Sequence, residues 1–308
     1  MRIKLTATLA LTLLLSACTV ARPTVKLGLV APFEGRYRDL GYEVIFAVRL
    51  AVREINASGG LHGYDLELVA LDDSGDPALA VEQAEKLTTD PQVLTIIGHW
   101  LNDTTTAALP VYTAAGLPVI VTAAQPDPLP ADSVRLFPSQ SLLDTAIAAA
   151  ALALSGQPCR DCDLLTGADL AAQSPPDLWL VGPPLWGLQQ FNTLTNSRGY
   201  LAFVSPAAYP DPASDFYTRY AEIAPVGQAG VYAALAYDAT YTFAAALKAA
   251  LTARPNHRPT PADVAAALPT VSLTGQTGEI AFTPAGEWQT PPILPYGWRD
   301  GQRIAFPP

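Results

Sequence analysis

The chain predicts an α/β fold in which parallel sheets lie between layers of helices. Short, almost wholly apolar runs such as Val25–Ala31 and Val93–Ile97 read as strands buried on both faces. Between them lie segments with an apolar residue every three or four positions, which read as helices packed on one side. The two kinds alternate through Thr122 with short connections, the order that builds right-handed strand–helix–strand units.

Val25–Ala31 ends at Pro32-Phe33-Glu34-Gly35, a chain-breaking turn. Tyr42–Asn56 carries Ile45, Val48, Leu50, Val52 and Ile55 at helical spacing and stops at Ser58-Gly59-Gly60. Tyr64–Leu71 alternates as a second strand. Asp76 can cap a helix with Pro77 at its first position, running to Thr88. Val93–Ile97 is the third strand, Asp103–Ala115 the third helix and Val119–Thr122 the fourth strand. Val134–Pro138 reads as a strand or a crossover, followed by an alanine-rich helix over Leu142–Leu154. A weaker second unit follows, with Leu164-Leu165 and Leu178–Val181 as strands, a helix over Leu185–Asn196 and a strand at Leu201–Ser205. Phe216–Ile223 is a helix, and Val231–Leu251 is the longest one, with Tyr232 and Tyr237 on its core face. Thr260-Pro261-Ala262-Asp263 opens another helix to Leu268. The end is different in character: the segment Gly275–Phe282, a turn at Pro284–Glu287, proline-rich Pro291–Pro295 and a short last strand before Pro308.

In open parallel sheets ligands bind beyond the carboxyl ends of the strands. That rule selects Pro32–Gly41, Asp72–Asp76, Gly98–Thr106 and Thr122–Asp127. The third is richest in polar groups. His99, Trp100, Asn102, Thr104 and Thr105 gather where a helix begins, and unpaired N–H groups there favour a carboxylate. Capping by Asn102 or Asp103 would use the same residues with or without a ligand. Thr122, Ala123 and Gln125 face them from the fourth-strand loop.

The chain has formal charge −10, and residues 1–18 hold two basic and no acidic residues, leaving −12 beyond them. Four lysines and no basic patch exclude nucleic-acid binding as the main role. No Ser/His/Asp arrangement, paired carboxylates or dinucleotide glycine spacing supports an enzyme, and no cofactor or metal is expected, with His62, His99 and His257 scattered.

Arg2 and Lys4 precede the apolar run Leu5–Leu15, too short to span a bilayer, and Leu15-Ser16-Ala17-Cys18 closes it. This resembles the bacterial lipobox, with Cys18 as the acylated first residue of a mature, exported, lipid-anchored protein. In an oxidising compartment Cys159 and Cys162 most simply form one disulfide. A redox pair would want a helix start after a strand, not a helix end with acidic neighbours; free or metal-bound thiols remain the other alternative.

The runs Val25-Lys26-Leu27-Gly28-Leu29-Val30-Ala31-Pro32, Glu54-Ile55-Asn56, Leu71-Asp72-Asp73-Ser74-Gly75-Asp76-Pro77, Ala236-Tyr237-Asp238-Ala239 and Gly278-Glu279-Ile280-Ala281-Phe282 resemble the branched-chain amino-acid (Leu/Ile/Val) substrate-binding proteins of ABC transporters. The resemblance implies a type I periplasmic-binding-protein fold with two lobes closing on a ligand. It implies a first lobe over 24–137 and 228–290, and a second, truncated lobe over 138–227 and 291–308. It further implies capture of a small amino acid or related carboxylate for a membrane permease. By this resemblance Asn102, Thr104, Thr105, Thr122, Ala123 and Gln125 hold the ligand from the first lobe. His99 and Trp100 stand beside them, His99 facing the cleft or packing as a structural group. Trp186 meets the ligand or packs on the short second lobe, and Tyr209, where the chain crosses back between lobes, packs at the hinge in preference to reaching the ligand. Leu40 stands where the family often has an aromatic, and the second-lobe acid that grips the ligand's ammonium has no counterpart. The competing reading is a ligand-sensing or scaffold lipoprotein of the same fold.

Overall fold

The structure, a computed structural model, describes residues 22–155, 180–181, 200–225, 229–299 and 302–305. Its first sheet has the order β2-β1-β3-β4-β5. The strands are β1 (Thr24–Ala31), β2 (Asp65–Asp72), β3 (Val93–Ile97), β4 (Val119–Val121) and β5 (Val134–Arg135), all paired in parallel. On one face, α1 (Arg38–Ala57) and α6 (Val231–Ala253) bury Val44, Ala47, Val48, Leu50, Ala236, Phe243 and Leu247. On the other, α2 (Pro77–Thr88) and α3 (Asn102–Ala115) bury Ala80, Ala84, Leu87, Ala108, Leu109 and Tyr112. Covering both faces explains why Leu27, Leu29 and Val30 are all fully buried although successive side chains point to opposite sides. Truncating one such leucine to alanine costs about 2–5 kcal/mol.

Sequence periodicity places the strands closely and misses polar helix starts. The first helix begins at Arg38, a turn before the expected Tyr42, and buries Leu40 completely. At α3 the capping expectation fails. Leu101 is the N-cap, no side chain caps the helix, and Asn102 and Asp103 lie inside its first turn. Asp76 does cap α2, accepting from the N–H groups of Ala78 and Leu79. Thr260 and Asp263 form the reciprocal capping box that opens α7 (Pro261–Ala267).

A second sheet, β11-β10-β7-β6, follows α4 (Gln140–Ser155). Here β6 (Leu180–Val181) and β7 (Tyr200–Ser205) are parallel. The chain then forms α5 (Phe216–Ala221), whose Phe216 and Tyr220 are buried, before returning through α6. The segment around Gly275–Phe282 folds as a hairpin, β8 (Ser272–Gly275) against β9 (Gly278–Ala281). Its turn is held by Asp238 of α6, which accepts from the N–H groups of Gln276 and Thr277 and from the Thr277 hydroxyl at 2.7–2.8 Å. Gly275 is required there, because a Cβ would lie 2.5 Å from that carboxyl group. The expected single last strand is also a hairpin, β10 (Leu294–Arg299) with β11 (Gln302–Ala305), and β10 pairs antiparallel with β7. Cys18, Cys159, Cys162, Leu164, Leu165, Trp186 and the helix expected over Leu185–Asn196 lie outside the described residues. Among the described residues no helix is long and apolar enough to cross a membrane.

Candidate functional site

The loops at the carboxyl ends of β1 to β4 are joined in series by hydrogen bonds. Asp72, the last residue of β2, accepts from the N–H of Phe33 at 2.7 Å and so fixes the loop after β1. Its neighbour Asp73 is fully buried and faces His99, with Asp73 Oδ2 2.7 Å from Nδ1. The other ring nitrogen, Nε2, lies 3.2 Å from the hydroxyl of Tyr112 on α3. Burial, and then the charge of Asp73, raise the Tyr112 pKa, so its O–H stays protonated and can donate. Both ring nitrogens of His99 are thus held, Nδ1 by the Asp73 carboxylate and Nε2 by the Tyr112 hydroxyl. His99, 1% exposed, therefore ties the second loop to the third from below the surface. Gly98 makes the path possible: its φ is +136°, and a Cβ would stand 2.4 Å from the Val30 carbonyl oxygen.

The His99 carbonyl oxygen continues the series. It accepts from the Thr105 hydroxyl at 2.8 Å and from the Thr122 hydroxyl, in the fourth loop, at 3.2 Å. Thr104 and Thr105 also donate to the Leu101 carbonyl, at 3.2 and 2.6 Å. All three threonines are fully buried, so each hydroxyl proton is directed into the turn. Asn102 joins the third and fourth loops directly, since its Oδ1 accepts from the N–H groups of Ala124 and Gln125, both at 3.1 Å. Its Nδ2 is 3.5 Å from Gln140 Oε1, at the start of α4, a long and weak contact. Asn102 and Gln125 are half-buried, whereas Ala123 is buried.

Trp100 is 2% exposed, and its indole N–H has no partner. It meets Tyr232 of α6 edge to face at 6.1 Å, and the Tyr232 hydroxyl is also unpartnered. The two are adjacent buried donors without a protein acceptor. Tyr232 and Tyr237 pack on the helix core face, as the sequence predicts. Tyr209 is half-buried and edge-on to Tyr296 of β10 at 5.2 Å.

Sequence reasoning missed the support beneath the fourth loop. Arg135 of β5, completely buried, donates to the carbonyls of Ala123 and Pro126 and forms a two-point contact with Glu287 (2.9 and 3.2 Å). The available signal was a lone cation inside the apolar run Val134–Pro138, which demands a carboxylate from elsewhere. Glu43 of α1 was missed as well. Its carboxylate accepts from the N–H groups of Gly230 and Ala233 at the start of α6, and burial lifts it to about 7 against those hydrogen bonds.

Doubly covered parallel sheet, loops joined at its carboxyl edge and a second sheet completed by the chain's return define a type I periplasmic-binding-protein fold. Residues 24–157 match the family model described as periplasmic binding protein. The Leu/Ile/Val-binding protein of Escherichia coli is 32% identical over 121 residues, 39% of this chain and 33% of the relative. An amino acid binding protein of Pseudomonas aeruginosa is 30% identical over 109 residues, 35% of this chain and 29% of the relative. The chain thus spans about a third of the length of the curated relatives it matches. Among solved structures, LivJ of Streptococcus pneumoniae in complex with isoleucine superposes with a TM-score of 0.69 at 20% identity, covering 92% of this chain and 98% of that one. A solute binding protein of R. palustris in complex with benzoate gives 0.69 at 16% identity, covering 91% and 95%. These likenesses establish the fold.

Proposed function

We propose that this protein is an extracytoplasmic solute-binding protein, not an enzyme, that captures a small amino acid or related carboxylate and delivers it to an ABC-type permease. The observation that carries the reading is the series of hydrogen bonds from Asp72 through His99 to Gln125, which builds a rigid polar rim where parallel sheets bind ligands. Relatives named for binding leucine, isoleucine and valine, and a structural neighbour holding benzoate, agree with a carboxylate ligand.

In this reading Asn102, Gln125 and the Trp100 indole N–H face the ligand. His99, Thr104, Thr105, Thr122 and Ala123 act through the turns they hold, and Trp186 and Tyr209 contribute from the second lobe. That lobe comprises 138–227 and 291–308 and is shortened; the first comprises 24–137 and 228–290. Acylation of Cys18 holds the protein at a membrane, and Cys159 and Cys162 form a disulfide in the second lobe.

Calorimetry against the twenty amino acids and common small carboxylates tests the function. A charge-assisted hydrogen bond contributes about 1.5–3 kcal/mol, so Asn102→Ala should weaken binding about ten- to hundredfold. Silence across the panel would turn the preference to a scaffold or sensor lipoprotein, which the complete burial of the three threonine hydroxyls favours.

A further inference from the structure

A cavity of about 400 Å³ opens at the opposite edge of the first sheet, lined by Arg22, Pro23, Thr24, Tyr64, Gln92 and Arg258. Thr24 begins β1, while Tyr64 and Gln92 immediately precede β2 and β3, so the cavity lies at the amino ends of the strands. Arg258 reaches it from the loop between α6 and α7. No carboxylate lines it. Arg22 is balanced by Asp65, whose Oδ1 lies 3.2 Å from its Nε, and it also donates to the Gly59 carbonyl. Arg258 is exposed and makes no ion pair or hydrogen bond among the described residues. The side chains of Thr24, Tyr64 and Gln92 have no hydrogen-bond partner there either. Each of these four can donate a hydrogen bond.

We propose that this cavity is an anion site for a phosphate ester, filled by the phosphate headgroup of a membrane lipid. A guanidinium fork with hydroxyl and amide donors beside it matches the several acceptor oxygens of a phosphate. The volume lies near the lower end of small-molecule sites, about 300–1,000 Å³. The uncompensated cation is notable in a chain whose formal charge is −10.

The lipid source follows from chain length. Arg22 is four residues from Cys18, and four extended residues span at most about 14 Å. An acylated Cys18 therefore holds this edge of the sheet against the headgroup layer, with the ligand-binding edge turned away from it. This source rests on the proposed acylation; the phosphate chemistry rests on the cavity alone.

The test uses the full-length protein in neutral detergent at low salt, titrated by calorimetry with dihexanoyl phosphatidylglycerol, dihexanoyl phosphatidylcholine and glycerol 3-phosphate. Phosphatidylglycerol should bind in preference to phosphatidylcholine. Arg258→Ala should weaken it about tenfold with an unchanged melting temperature, and Arg258→Lys should restore part of the loss. Glycerol 3-phosphate binding with the same Arg258 dependence, but no binding of phosphatidylglycerol, would retain the phosphate site and overturn the lipid source. Equal binding of the two lipids, no binding of any probe, or binding indifferent to Arg258→Ala would overturn the proposal.

Discussion

At the scale of single residues, two enclosed carboxyl groups give the protein a pH dependence opposite to that of surface acids. Burial raises Glu43 from 4.5 to about 7 and Asp238 from 3.8 to about 6, in each case against hydrogen bonds that favour the charged form. Between the ordinary and the raised values the folded state keeps a proton that the unfolded state has lost. The stability they contribute is therefore fully present below their ordinary values and is lost as pH rises through the raised ones. Urea unfolding from about pH 5 to about pH 8 should show stability falling with pH. Glu43→Gln, whose amide oxygen can still accept from Gly230 and Ala233, should flatten that fall. An unchanged profile would show that Glu43 is ionised throughout. His99 shows the other use of burial at this scale: both ring nitrogens are occupied, so its side chain orders the loops.

At the scale of elements, helix starts divide into those made by local chemistry and those made by packing. Asp76 followed by Pro77 is a local signal, and the Asp76 carboxylate satisfies two otherwise open N–H groups of α2. Asp76→Ala should cost about 1 kcal/mol, read as a lower urea midpoint at constant slope. The start of α3 has no side-chain cap: its N-cap residue is Leu101, which has no side-chain acceptor, and Asn102 turns its Oδ1 to Ala124 and Gln125. This helix end has turned its one amide acceptor to the adjacent loop. The start of α6 is capped from a distance, by Glu43 of α1 nearly two hundred residues earlier. A window of sequence around Gly230 contains no such partner.

At the scale of the whole molecule, Arg135 and Glu287, 152 positions apart, close the first sheet onto the chain's late return. Arg135 N–H also donates to the Gly286 carbonyl at 2.8 Å, so backbone and side chain bind the same segment. The guanidinium is fully buried, while Glu287 is partly open to solvent. Removing the carboxylate charge leaves that cation uncompensated, which costs about 3–5 kcal/mol when one partner of a buried pair is lost. Glu287→Gln should approach the lower end of this range in urea unfolding, because water reaches its side of the pair. Amide exchange should also rise in the loop of residues 123–126, whose carbonyls Arg135 holds. A loss under about 0.5 kcal/mol would place the pair among ordinary surface bridges.

The sequence by itself determined the fold class, the order of the elements from Val25 to Thr122 and the loops that form the candidate site. Apolar strands and amphipathic helices announce themselves within short windows, and Asp76 and Thr260 mark their own caps. Tertiary structure decided what those loops do with their polar groups. Whether Thr105 serves a ligand or the His99 carbonyl depends on a turn that Gly98 brings close to Val30, and whether Asn102 caps a helix depends on where the fourth strand delivers Ala124. It also decided the two terminal hairpins, because β10 forms by pairing with β7, about ninety residues earlier, despite Pro295. Hydrophobic periodicity is a local property of the chain, whereas the partner of a buried polar group is set by distances that only the assembled fold defines.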